Sequence, residues 1–204
     1  MAVHIVQRGN DRQDCFRDES DYVVFLAMLR DVIRPRQCAL HAYCLMTNHF
    51  HLLVTPGNSQ SCGLIMRDLG RCYASYFNRR YKRTGTLWEG RFHSCLVDSP
   101  QYVLACYRYI EMNPVRAGMV VSPDAYRWSS HLVNTGLATR DTLLAPHPEY
   151  LAIGSDERSR HAAYVGLFGR ADDSDFLITM REATSGGYPL VGERLKAHLA
   201  ANGV

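Results

Sequence analysis

The segment Thr47-Asn48-His49-Phe50-His51-Leu52-Leu53-Val54 constrains this chain more than any other. It reads as an apolar β-strand, and side chains alternate across a strand, so His49 and His51 share one face. Phe50 and Leu52 then point the other way, into a core. Two imidazoles side by side can share one divalent cation. The same pair also fits a hydrogen-bonded polar face, and the spacing alone leaves both readings open.

A second segment adds to the first. The run Cys106-Tyr107-Arg108-Tyr109-Ile110-Glu111-Met112-Asn113-Pro114-Val115-Arg116-Ala117-Gly118 is helical in character, with Tyr109 and Asn113 four apart. That spacing stacks them on one helix face. An Asn113 amide oxygen would supply a third ligand, with a phenol one turn away that can attack a group the metal polarises. Pro114 either ends this helix or starts the next. Tyr107 is the competing nucleophile, but it lies about 200° around the helix, away from Asn113, and reads as a packing residue.

These residues resemble the REP-associated tyrosine transposases, a branch of the single-tyrosine HUH transposases. The resemblance rests on Gln7-Arg8-Gly9-Asn10, Met46-Thr47-Asn48-His49-Phe50-His51 and Gly85-Thr86-Leu87-Trp88-Glu89-Gly90-Arg91-Phe92. It continues through Tyr107 to Gly118 and Trp128-Ser129-Ser130, in the family's order, over about the first two-thirds of the chain. It implies that His49 and His51 are metal ligands and that Asn113 is the third, where related transposases often carry Gln. It implies that Tyr109 is the nucleophile, giving a 5′-phosphotyrosine and a free 3′-hydroxyl that can later rejoin strands. The implied cofactor is Mg²⁺ or Mn²⁺. The implied partner is single-stranded or hairpin DNA carrying repetitive extragenic palindromes, engaged by a monomer.

Whole-chain properties agree with this reading. With 204 residues and 47% hydrophobic content the chain can bury a core, and one catalytic unit with an appendage is expected. The resemblance divides it into a catalytic domain over 1–130 and a helical C-terminal extension over 131–204, which would place hairpin DNA or cover the site. Relatives carry several residues before the first strand, so an upstream DNA contact is expected to be missing here, or the start to be short. The net charge is only +3, yet Arg67, Arg71, Arg79, Arg80, Lys82, Arg83 and Arg91 face only Asp68 and Glu89 over 67–93. That region is the expected DNA-facing one. Over 140–204 seven Lys and Arg meet nine Asp and Glu, which argues against a general electrostatic clamp. Seven cysteines without a CxxC pair indicate neither a zinc ribbon nor a complete disulfide framework. No leader or apolar run long enough to span a bilayer is present, so a cytoplasmic protein without membrane contact is expected.

Pattern reading predicts strands over 3–7, 39–46, 49–55 and 92–97, with a hairpin turn at Thr47-Asn48. Helices are expected over 19–34, 61–82 and 100–113, the second with Leu64, Leu69, Tyr73, Tyr76 and Phe77 inward. Further helices are expected near 157–169 and 189–201, with a loop at 171–175, a short helix to Ala183 and a break at Gly186-Gly187. The fold class is α+β: an antiparallel sheet flanked by helices, as in the ferredoxin-like or palm-like core of the family.

Several cations and polar groups are candidate DNA contacts. Arg8 and Asn10 follow the first strand in a glycine turn and read either as base or phosphate contacts or as turn formers. Trp88 reads as a stacking platform or a core anchor. Arg91 and Arg116 read as phosphate ligands, with Glu89 as an ion-pair partner for either. The remaining histidines read as packing or surface residues. Two other functions stay open: a hairpin-binding protein that does not cut, and a metal-dependent phosphodiester hydrolase that forms no covalent intermediate.

Overall fold

The computed structural model describes residues 1–98, 100–139, 142–169 and 174–190. Its first strand, β1 (Ala2–Arg8), leads to α1 (Glu19–Ile33), whose start is fixed by a capping box. Asp18 accepts from the backbone of Ser20 and Asp21, and the Asp21 carboxylate accepts from the Asp18 backbone in return. The hairpin of β2 (Ala39–Leu45) and β3 (His49–Thr55) follows, then α2 (Ser61–Arg80) and β4 (His93–Val97). The order βαββαβ with strands arranged β2-β3-β1-β4, all antiparallel, is the ferredoxin-like arrangement expected.

Strand alternation gives this sheet two unlike faces. Val3 and Ile5 of β1 and Phe50, Leu52 and Val54 of β3 point to one side, where α1 contributes Phe25 and Leu29. From α2 the buried apolar residues are Ile65, Met66, Leu69, Tyr73 and Phe77. Leu64 and Tyr76, expected in this stripe, are only half-buried, because the row 65-69-73-77 faces the sheet and leaves them at its flank.

The opposite face carries Ala42, Cys44, Leu53, Cys95 and Val97. It is covered by α3 (Pro100–Glu111), through Cys106, Tyr107 and Ile110. Pro114 sits at the start of the next helix, α4 (Asn113–Arg116), so α3 stops two residues earlier than expected. The extension adds α5 (His131–Asn134), α6 (Pro148–Ala152), α7 (Glu157–Phe168) and α8 (Ser174–Gly186). Tyr150, Tyr164, Met180 and Ala183 from these helices enter the same core as α3.

Both sheet edges are covered, which removes open pairing groups. Along β2, Leu45 donates to the Trp128 carbonyl at 2.9 Å and Ala145 donates to the Leu40 carbonyl at 2.8 Å. Along β4, Leu190 exchanges bonds with Leu96 and Asp98. Leu190 thus bridges to strand β4; the rest of the helix expected over 189–201 and most of the loop expected at 171–175 lie outside the described residues. Among the described residues no helix is long and apolar enough to cross a membrane.

Candidate active site

The site grows from the register of β1 against β3. Arg8 lies opposite His49, Val6 opposite His51 and His4 opposite Leu53, so all of these side chains share the face under α3. The His49 and His51 rings are 5.0 Å apart, centroid to centroid. Tyr109, on the last turn of α3, brings its ring to 5.9 Å from His51 and 5.8 Å from His4. A cleft of about 930 Å³ opens here, lined by Arg8, His49, His51, Arg91, Tyr109, Asn113 and Arg181 among others.

Local hydrogen bonds set the chemical state of each group. Asn48 donates its amide to the Arg12 carbonyl at 3.1 Å, which turns its oxygen toward His49 Nδ1 at 2.7 Å. His49 therefore carries its proton on Nδ1 and leaves Nε2 bare. His51 Nδ1 lies 3.0 Å from His4 Nε2, and His51 Nε2 is buried with no hydrogen-bond partner. Burial, reinforced by the Arg8 charge, lowers His49 to about 4. Burial likewise holds His51 well below its ordinary value, with His49, His4, Arg116 and Arg8 adding to the effect, and lowers His4 to about 3. All three rings are neutral near pH 7.

Asn113 donates to the carbonyls of Tyr109 at 2.8 Å and Ile110 at 3.2 Å, capping the end of α3. A carbonyl can only accept, so the Asn113 nitrogen faces the helix and its oxygen is turned away from it. Arg116 donates to the Tyr109 carbonyl and sets its guanidinium 4.7 Å from the centre of the phenol ring. Burial raises the Tyr109 pKa, while the Arg116 and Arg181 cations oppose the rise. Tyr107 is fully buried, stacks on Tyr150 and accepts from the His147 backbone at 3.2 Å. It has the packing role read from its helix position.

The basic residues fall into three places. Arg8 and Arg91 line the cleft. A second groove, of about 430 Å³, runs between α2 and the 85–92 segment and is lined by Arg67, Arg71, Trp88 and Arg91. Arg79, Arg80, Lys82 and Arg83 lie at the far end of α2, outside both. Arg80 there pairs with Asp18 and Asp21, and Arg83 bonds to Gln13 and Asn78. Arg116 is behind the tyrosine rather than in the cleft lining, and Glu89 pairs with neither Arg91 nor Arg116. Trp88 donates to the Gly70 carbonyl at 2.9 Å and packs on Tyr73 and Phe50, an anchored ring with one side toward the groove.

Asn10 opens a short 3-10 turn, Asn10–Arg12, with its backbone N–H on the Leu87 carbonyl. The turn uses left-handed conformations at Asp11 and Arg12, not at Gly9. Gly9 is required for space instead: a Cβ there would lie 2.2 Å from the Gln13 carbonyl oxygen.

Three residues of the site escaped sequence reading: Arg181 and Thr184, which line the cleft, and His4, which is bonded to His51 beneath it. His4 left a faint signal, a lone histidine in the apolar run Ala2-Val3-His4-Ile5-Val6, but only strand pairing brings it to His51. Arg181 and Thr184 sit on α8, beyond every recognisable motif.

Comparison with known proteins agrees with this geometry. The family described as Transposase IS200 like matches residues 1–113. Among solved structures, the chain resembles one described as a REP-associated tyrosine transposase bound to a REP hairpin. The identity is 17%, covering 72% of this chain and 85% of that one, with a TM-score of 0.53. A putative transposase from Deinococcus radiodurans R1 is 21% identical over 54% of this chain and 88% of its own, with a TM-score of 0.41. No curated protein matches. The first likeness is one of fold, and the match over 1–113 takes in both histidines, the tyrosine and the asparagine: the chain belongs to the IS200-like transposase family.

Proposed function

We propose that this protein cuts and rejoins single-stranded DNA beside hairpins of the REP type, with Tyr109 as nucleophile and His49, His51 and Asn113 holding Mg²⁺ or Mn²⁺. The observation that carries the reading is His51 Nε2, buried without a partner on the same cleft as Tyr109. An orphaned buried acceptor is costly unless something fills its place. Among the described residues no three His, Cys, Asp or Glu side chains converge on a metal. The donor set is thus two neutral imidazoles and one amide oxygen, which leaves positions for phosphate and water oxygens. When bound, the cation polarises the phosphodiester and offsets the charge that develops on it.

The chain's own residues do the rest. The Tyr109 oxygen bonds to phosphorus as the bond to the 3′-oxygen breaks; the phenol proton leaves to solvent and the released 3′-oxygen takes one up. Arg116 and Arg181 favour the phenolate that attacks, against the cost of burial. Asn113 and Arg116 fix the backbone carbonyl of Tyr109, so the phenol returns to one position for the reverse step. Arg8 and Arg91 are placed for phosphates at the cleft, and Arg67, Arg71 and Trp88 for the strand in the second groove. The division into a catalytic part, 1–130, and an extension, 131–204, is functional in this reading, with α8 completing the cleft wall.

The test is to incubate the protein with Mn²⁺ or Mg²⁺ and labelled single-stranded hairpin oligonucleotides from beside its own gene. A denaturant-resistant protein–DNA adduct, lost in Tyr109→Phe and in His49→Ala, is expected. Cleavage that survives Tyr109→Phe without an adduct would identify a hydrolase. Tight binding with neither cleavage nor adduct would identify a hairpin binder.

A further inference from the structure

We infer that Thr184 and His4 form a hydrogen-bond relay that fixes the tautomer of His51, so that helix α8 of the extension positions a metal ligand on the central sheet. The inference rests on the proposed role of His51 and adds two positioning residues to it.

The direction of the relay follows from its fixed end. The Met180 carbonyl can only accept, and Thr184 Oγ1 lies 2.8 Å from it, so the Thr184 hydroxyl hydrogen is spent there. Thr184 Oγ1 is then an acceptor for its remaining neighbours, His4 Nδ1 at 3.0 Å and Cys95 Sγ at 3.4 Å. His4 must carry its proton on Nδ1. It is fully buried, and among the described residues its ring nitrogens bond only to the Thr184 hydroxyl and the His51 ring, so it is neutral and its Nε2 is bare. That nitrogen accepts from His51 Nδ1 at 3.0 Å. The His4 and His51 rings are within 5° of parallel with centroids 5.2 Å apart. With two nitrogens 3.0 Å apart, this is the geometry of imidazoles joined edge to edge, not stacked face to face. His51, holding its one proton on Nδ1, presents a bare Nε2 to the cleft.

Reversing every bond is the alternative, and it fails at both ends. The Met180 carbonyl would lose its side-chain donor, and His51 would carry a hydrogen on Nε2, buried with no acceptor. A buried donor left unpaired loses its water without gaining a partner, which disfavours this arrangement. A protonated nitrogen also cannot ligate a metal, so the reversed relay would close the site. His49 reaches the same tautomer independently, through Asn48 and the Arg12 carbonyl. The two imidazoles are thus oriented from opposite sides, one by a loop and one by the extension.

The test reads the tautomer directly. In metal-free wild-type protein, long-range proton–nitrogen correlation spectra should show His51 as the Nδ1–H form. Thr184→Val keeps the side chain's shape and should convert His51 to a mixture of tautomers, with Thr184→Ser restoring the single form. Mn²⁺ affinity, measured by titration of the paramagnetic ion, should fall several-fold in Thr184→Val. It should fall on the order of 10- to 100-fold in His4→Phe, the usual range for losing a ligand's hydrogen-bond partner. A wild-type spectrum showing His51 as Nε2–H overturns the relay outright, whatever the variants do. Unchanged tautomer and affinity in folded Thr184→Val and His4→Phe overturn it too. A wild-type protein with the Nδ1–H form that binds no Mn²⁺ would instead overturn the metal reading and leave the relay standing.

Discussion

Replacing Glu111 by Gln should unfold this protein more readily than any exposed substitution. Glu111 ends α3, two residues after Tyr109, and is fully buried. One carboxylate oxygen accepts from Ser130 Oγ at 2.6 Å and Asn134 Nδ2 at 2.8 Å. The other accepts from His131 Nδ1 at 3.0 Å and the Tyr164 hydroxyl at 2.7 Å. Four donors fill the four acceptor sites of an ionised carboxylate. Gln turns one of those oxygens into a donor. A hydroxyl can rotate to accommodate it, but Asn134 would have to flip and give up its bond to the His41 carbonyl, or His131 would have to give up its Nδ1 proton and its charge. The loss of charge and of about two charge-assisted bonds, at about 1.5–3 kcal/mol each, gives a cost of about 3–6 kcal/mol. For a chain of this length that lowers Tm by roughly 10 °C.

The same network has a pH signature. Burial alone would lower the His131 pKa, but the Glu111 and Asp124 hydrogen bonds and charges outweigh it and the net shift is upward. A histidine whose folded pKa exceeds its unfolded value of about 6.5 stabilises fully below that value. The contribution is lost as pH rises through the folded pKa. Wild type should therefore lose this contribution from pH 6 toward alkaline pH, against the opposite trend from His4, His49 and His51, which the fold holds neutral, and Glu111→Gln should remove it, so that the gap between the two proteins in urea melts narrows as pH rises. A Glu111→Gln variant within 1 kcal/mol of wild type at pH 6 would refute the reasoning.

Other perturbations separate roles that look alike in sequence. Tyr109→Phe should abolish the covalent adduct yet change hairpin affinity less than about threefold by gel shift, since it removes one hydroxyl. Arg71→Ala and Arg91→Ala should each reduce the salt dependence of DNA binding by about one phosphate contact. Arg80→Ala, whose guanidinium serves Asp18 and Asp21, should leave that slope unchanged and instead lower stability in urea melts. Gly9→Ala should cost about 2 kcal/mol or more, because the new Cβ meets the backbone of Gln13 and no rotamer relieves it. A melt of Gly9→Ala matching wild type would mean the Gln13 loop moves freely.

The legible parts of this molecule were those governed by local rules. Alternation placed His49 and His51 on one face because that depends on strand geometry alone, and the Thr47-Asn48 turn is equally local. The sheet order needed the family resemblance, since nothing in β1 announces that it pairs with both β3 and β4. Which of the basic residues have partners within the fold was hidden for a related reason. Arg80 and Arg83 sit in a basic run, but whether a run is free or spoken for depends on Asp18 and Gln13, some sixty to seventy residues away. His4 and Thr184 were invisible because their meeting is tertiary: one lies on the first strand, the other on the eighth helix.

That distribution has a consequence for how the proposed reaction is held together. A site that both cuts and rejoins must return its nucleophile to the same position after the strand has moved. Tyr109 is fixed by its backbone rather than by its ring: Asn113 and Arg116 hold its carbonyl, and Glu111 anchors the helix end to α5 and α7. The histidines, by contrast, are fixed by their Nδ1 partners on strands at the centre of the sheet, where β1 and β3 are paired on both sides. Tyr109 and the two histidines thus belong to two differently anchored layers, α3 and the sheet, and α8 packs against both. A change in how α8 packs would therefore act on both at once, on His51 through Thr184 and His4 and on Tyr109 through Arg181.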